Sequence, residues 1–476
     1  MQKFISKYGL AAHLAVLAVL PLFLAPYASE SAVCAVLFWM SLICSIWYFF
    51  EPSRRPSEML HEARGRVAAA LFKDPLFWIF AAICLISALR LFNCNVGMMY
   101  DTEVFRWKLK ESELSFFPAG VEGAGMLQLA TSVSLLVLVE SCRHALGKGA
   151  RLFFISAVSI LAGFAGFAGA VACYFNVPGA VEASRCHIAA SSYIGTSYGI
   201  YATVGIAALA GSFEIKWNKA MLLYSTGTAG CLVGLYFFAP SYVIVFFLAA
   251  LLATSIASFF YAGIACDKTV AFKCVASLLM SLFMVASCCM ALAPEFLETA
   301  RLEPFIDGKF ELFGQQYMKI RALCASFASK VWNSSPWLGT GLGTFPLNVR
   351  FNATFEDWAV LPPGQSSAVV GWWHVLAERG LVGAVSFCSV VVALVVTFVV
   401  RAVKSVRSPV RPFYPVAAAA IAVFACFVAQ IFFDTSFLRT DVLLAGASLL
   451  ALGGGSFIPV LKGAAPADGG KKRSRS

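Results

Sequence analysis

"SYVIVFFLAALLATSIASFFYAGIA", residues 241–265, carries no charged side chain over its whole length. A helix rises about 1.5 Å per residue, and the hydrocarbon core of a bilayer is about 30 Å thick, so about 20 apolar residues cross it. This run is long enough. Comparable runs lie near 8–28, 31–50, 75–93, 123–146, 152–173, 192–212, 219–239, 274–294, 380–400, 412–433 and 441–460. The chain's 476 residues are 60% hydrophobic and only 13% charged, with a mean hydropathy of +0.80. A soluble protein of this size needs more charge to cover its surface. The sequence therefore predicts an all-α polytopic membrane protein with about twelve transmembrane helices.

Charge sets the orientation. With the N-terminus in the cytoplasm, one face collects 23 basic and 8 acidic residues and the other 13 and 17, which together make the chain's 36 and 25. Lys and Arg gather in cytoplasmic connections, so both termini are expected there. The net charge of +11 is then a topology signal and gives no reason to expect nucleic acid as a partner. The first run ends in "LAPYASES" (residues 24–31), which faintly resembles a signal-peptide cleavage site. It is longer than the usual apolar core of a signal peptide, so it reads as a retained span. Most of the 15 cysteines fall within spans, and the external Cys94, Cys186 and Cys324 have no paired spacing, so no disulfide framework is expected.

Nine spans occupy residues 1–294, a long non-cytoplasmic connection follows at 295–379, three more spans occupy 380–460, and a basic tail closes the chain at 461–476. A connection of that length is usually functional. Within it, Phe310, Phe313, Tyr317, Ile320, Phe327 and Val331 recur near one helical face, which predicts an amphipathic helix on the bundle or at the interface.

After that helix comes "NSSPWLGTGLGTFP", residues 333–346, with Gly339, Gly341 and Gly343 at alternate positions. It is a poor nucleotide loop. Thr344 stands where a dinucleotide fingerprint needs its third glycine, and the Lys-Ser/Thr pair of a P-loop is missing. Read as turn chemistry alone, the glycines simply admit positive φ.

Taken together, Arg321, Trp332, Pro336, Gly339, Gly341, Gly343, Phe345, His374, Glu378, Gly380 and Gly383 give the order "R…W…SPWLGTGLGTF…H…L.ERGL.G". This order resembles the signature of the O-antigen ligase and O-antigen polymerase superfamily, whose members are polytopic enzymes with a large periplasmic loop before their last few spans. The resemblance implies a type C glycosyltransferase of the bacterial inner membrane. Such an enzyme moves a glycan from undecaprenyl diphosphate onto an acceptor at the periplasmic face, without a metal or other cofactor. The acceptor is lipid A–core in ligases and a growing glycan chain in polymerases. The family's essential loop histidine maps to His374, and a diphosphate-engaging arginine maps to Arg321. Arg185, in "SRCHIAASSYIGTSYGIYA" (residues 184–202), resembles the family's other arginine, although "TSY" replaces the Asn-Pro-Asn often found there. The ligase is the preferred reading and the polymerase the alternative.

The chemistry implied here needs a base for a weakly acidic sugar hydroxyl and cations for a departing diphosphate, which guanidinium forks match. Of the five histidines, His13 lies in the first span, His61 and His144 are cytoplasmic, and His187 and His374 are external. If residues 373–379 are helical, Glu378 lies one turn from His374 and can orient it; pairing with Arg379 on a solvated face is the other reading. Arg90, at the outer edge of the third span, reads equally as a diphosphate ligand or as a residue snorkelling to headgroups. Arg321 has an interfacial anchor as its bland role. A competing pair, Asp101 and Glu103 in "YDTEVFRW" (residues 100–107), has acid-x-acid spacing that could hold a divalent cation. Two rival classes remain. A transporter or lipid flippase suits twelve spans, but the span interiors hold almost no acids. A flippase also has little use for a long external loop that bears the motif, and a structural membrane scaffold is the second rival.

Overall fold

The structure is a computed structural model. It describes residues 2–24, 30–49, 75–93, 97–102, 106–110, 120–142, 146, 148–175, 177, 194–211, 219–239, 241–265, 315–361, 368–406 and 414–454. The chain is mostly helical. Bundle helices α1 (Gln2–Leu24), α2 (Glu30–Phe49) and α3 (Pro75–Leu91) are followed by a hairpin of β1 (Gly97–Asp101) and β2 (Arg106–Lys110). Next come α4 (Glu122–Glu140), α5 (Lys148–Tyr174), α6 (Ile194–Gly211), α7 (Lys219–Phe238) and α8 (Ser241–Ala265). The loop region contributes α9 (Gln315–Ser334), α10 (Phe345–Asn352) and α11 (Phe355–Val360). The chain then returns through α12 (Gly371–Val406), α13 (Tyr414–Gln430) and α14 (Thr440–Gly454).

Eleven of the twelve apolar runs coincide with these helices, and the run at 274–294 lies outside the described residues. Two helices, Glu122–Glu140 and Phe153–Tyr174, combine the length and apolarity needed to cross a bilayer; seven shorter apolar helices accompany them among the described residues. Twelve crossings therefore exceed what the described helices establish. The antiparallel hairpin, in which Gly97 stands opposite Lys110, is an addition to the helical expectation. The long helix α12 also starts nine residues before the expected span, because Gly380 divides it: φ +60° and ψ −166° there are not helical. Residues 371–379 thus belong to the loop region, and the expected boundary at 380 falls on the break.

The bundle is held by close backbone approach and by hydroxyl pairs. Helices α5 and α7 meet through facing glycines: a methyl group built on Gly163 or Gly166 would strike the carbonyl of Gly227 or Gly230. Small residues let helices approach this closely where no hydrophobic drive separates helix from lipid. Between helices, Ser41 meets Ser134 at 2.9 Å, Ser87 meets Ser132 at 3.1 Å and Thr131 meets Thr440 at 2.8 Å. Buried hydroxyls need such partners.

The loop region builds its own small core. The α9 face places Ile320, Cys324, Phe327, Ala328 and Val331 against Phe345, Val349, Leu361, Val369 and Ala377. This realises the amphipathic pattern over 320–331; Phe310, Phe313 and the Tyr317 side chain lie outside what is described. The helix sits on the end of the bundle, where Arg321 reaches the residues that follow α13.

Candidate functional site

The glycine run and the Gly380 break are two halves of one joint. After α9 ends, Pro336 and Trp337 offer their carbonyls to the Leu381 and Val382 N–H groups at 2.8 and 3.1 Å. The chain then crosses the last turn before the break, where Thr340 N–H donates to the Ala377 carbonyl and Gly341 N–H to the Glu378 carbonyl, both at 3.0 Å. These are carbonyls that the interrupted helix cannot satisfy itself. The fit requires glycine. Gly339, Gly341, Gly343 and Gly380 all have positive φ, and a Cβ on Gly339 would lie 2.5 Å from the Arg379 nitrogen. Leu342 completes the joint by accepting the Val121 N–H at 2.8 Å, which ties the run to the start of α4.

What the joint holds is a buried acid–imidazole pair. Glu378 and His374 are one turn apart, with Oε2 3.4 Å from Nε2 and side-chain exposures of 4% and 12%. The other carboxylate oxygen accepts the Phe345 N–H at 3.2 Å, at the first turn of α10. The opposite ring nitrogen, Nδ1, accepts the Ala368 N–H at 3.4 Å. These partners define the tautomer, with the proton on Nε2 toward the carboxylate and the lone pair on Nδ1. The Phe345 ring and the imidazole meet in a T-shaped contact, with centroids 5.7 Å apart. Burial pushes the His374 pKa below its ordinary value; the Glu378 carboxylate pulls it partly back up, and Arg379 adds to the lowering. The result is a neutral imidazole at neutral pH, oriented by a buried acid: the arrangement a general base needs. Glu378 therefore turns inward to the imidazole and does not lie on a solvated face.

The arginines are distributed around this pair. Arg321 is half-buried, donates to the Phe432 carbonyl at 2.9 Å and lies 5.5 Å from the centroid of the Phe433 ring. The Trp372 N–H reaches the adjacent Ile431 carbonyl at 3.4 Å, so the Arg321 helix and the His374 helix dock on the same turn. Arg90 is buried at the end of α3 and donates to Gln128 on α4 at 2.6 Å. Arg185 and His187 lie outside the described residues. The structure thus joins His374, Glu378, Gly339, Gly341 and Gly343 directly, brings Arg321 to the neighbouring turn, and engages Arg90 elsewhere in the bundle end. Asp101 stands opposite Arg106 at the tip of the hairpin, while Glu103 is not described.

Three contributors left no signal in the sequence: the backbone N–H groups of Phe345 and Ala368, and the carbonyl of Phe432. Backbone groups carry no residue identity. No protein-family model matches the chain, and no curated protein matches it.

Proposed function

We propose that this protein is a membrane glycosyltransferase that moves a glycan from undecaprenyl diphosphate to a hydroxyl acceptor, with His374 as general base. The observation that carries the reading is the buried Glu378–His374 pair, locked by the glycine run against the Gly380 break. Pro336, Gly339, Gly341, Gly343, Glu378 and Gly380 of that joint belong to the motif order from which the family resemblance was drawn. The apolar helices support a bilayer setting, with the pair at the non-cytoplasmic end of the bundle in keeping with the charge count.

In the proposed step the acceptor oxygen attacks the anomeric carbon and its proton passes to His374 Nδ1. The bond from that carbon to the diphosphate oxygen breaks, and its electron pair leaves with the diphosphate. Glu378 stabilises the imidazolium that forms. Arg321 supplies positive charge beside the leaving group, with Arg185 as the second cation of the set. Lipid A–core is the preferred acceptor, which makes the enzyme an O-antigen ligase; a growing glycan would make it a polymerase.

The test is a lipopolysaccharide gel of a deletion strain complemented with the wild-type chain or with His374→Ala. Carrier-linked polymer with undecorated core in the strain, uncorrected by His374→Ala, supports a ligase. Core bearing single repeats supports the polymerase. Full rescue by His374→Ala overturns the catalytic assignment, and substrate movement in liposomes without glycosyl transfer would support a flippase.

A further inference from the structure

The three residues before α12 turn sharply. Val369 has a φ of +62°, a left-handed conformation that β-branched residues rarely adopt. The Val370 N–H donates to the Ala368 carbonyl at 2.7 Å, closing a three-residue γ-turn of the strained, positive-φ kind. The Val369 side chain is fully buried among Ile320, Phe327 and Ala377 in the loop core, and that packing holds the turn in place. The Val370 carbonyl in turn accepts the His374 N–H at 3.0 Å, so the turn leads directly into the backbone that carries the imidazole. One consequence is chemical. The turn aims the Ala368 N–H at His374 Nδ1, the nitrogen whose lone pair must take the proton.

We propose that the Ala368–Val370 turn is a built-in cap on the catalytic base, displaced by the acceptor hydroxyl. In the resting protein the Ala368 amide faces Nδ1 while Glu378 faces Nε2, so each ring nitrogen already has a partner. The N–H···N separation of 3.4 Å lies beyond the usual range of such bonds. An incoming hydroxyl can make a shorter contact at the same lone pair, and opening the turn lets Val369 return to a negative φ. Both terms favour exchange, so binding the acceptor and exposing the base become one event. This inference rests on reading His374 as the base, and its first readout does not depend on catalysis.

The experiment follows carbethoxylation of His374 by diethyl pyrocarbonate, site by site by mass spectrometry, in the purified full chain. Val369→Gly removes the penalty for positive φ, so the cap tightens. His374 should then react on the order of tenfold more slowly, and the acceptor KM should rise by a similar factor with kcat little changed. Ala368→Pro removes the donor and should speed the reaction on the order of tenfold. Should that variant fail to fold, lactic acid at 368, an ester in place of the amide, removes the same N–H with the methyl group retained. Opposite shifts from the two positions support the cap. Shifts in one direction, or none, overturn it. If the opposite shifts occur while His374→Ala retains transfer, the cap stands and the base assignment falls.

Discussion

Glu378→Gln isolates the charge of the buried acid from its shape. Glutamine keeps the length of the side chain but only one accepting oxygen, which can serve Phe345 N–H or His374 and not both, so the negative charge and one acceptor are lost together. Two unit charges 3.4 Å apart attract by about 5 kcal/mol at an effective dielectric of about 20. That figure is a ceiling. In the transition state the proton is only part-way onto the imidazole, and the amide oxygen still accepts a hydrogen bond. About 2 kcal/mol remains, close to the worth of a hydrogen bond to a charged group and equivalent to about a 30-fold lower rate. The loss should fall on kcat with KM for the donor little changed, because the imidazolium exists only as the reaction proceeds. The pH profile carries a second signature. The Glu378 carboxylate raises the His374 pKa against burial, so removing it lets that pKa fall further. The acid limb of kcat/KM should then move to lower pH while the plateau drops. The assay is transfer from a polyprenyl-diphosphate glycan by purified protein in nanodiscs, followed across the imidazole titration range. A rate within about twofold of wild type, or an acid limb displaced upward, would refute the reasoning.

Gly380→Ala places a methyl group against the Trp337 carbonyl and the Gly339 nitrogen at a φ of +60°; backbone strain and overpacking together should cost about 2–5 kcal/mol, read as a lower Tm in detergent, and an unchanged Tm would remove the joint from the account. Arg321→Ala deletes the hydrogen bond to the Phe432 carbonyl and the contact over Phe433, for about 1–2 kcal/mol of stability; Arg321→Lys should restore little of this and should raise the donor KM, so full function in the lysine variant counts against guanidinium recognition. Burial lowers the pKa of His374, so below about pH 6.5 the unfolded chain binds a proton that the folded one does not. Stability is therefore fully present above that range and is lost as pH falls through it toward the folded pKa. His374→Gln should flatten this part of the stability profile, and an unaltered slope would show that the imidazole is not held neutral.

The candidate site was partly legible because its parts are close in sequence. His374 and Glu378 are four residues apart, and helical periodicity alone puts them on one face; Gly339, Gly341 and Gly343 announce positive φ by residue type. Arg321 was readable as a cation on an amphipathic helix, but not that its guanidinium would meet a carbonyl 111 residues away. The hairpin at 97–110 escaped because its strands are short and lie in a segment read only for its acidic pair.

Sequence by itself determined the apolar helices and their order, because burying an apolar face and satisfying backbone groups within one segment are local demands. It also placed the boundary between the loop and the tenth span at residue 380, where the structure puts the break in α12. Tertiary structure decided what the interruption is for. The carbonyls freed at Ala377 and Glu378 are taken by Thr340 and Gly341, and the Glu378 carboxylate by Phe345. Such pairings depend on where two distant segments lie in space, and backbone N–H and carbonyl groups, identical in nearly every residue, leave no mark of them in the order of side chains.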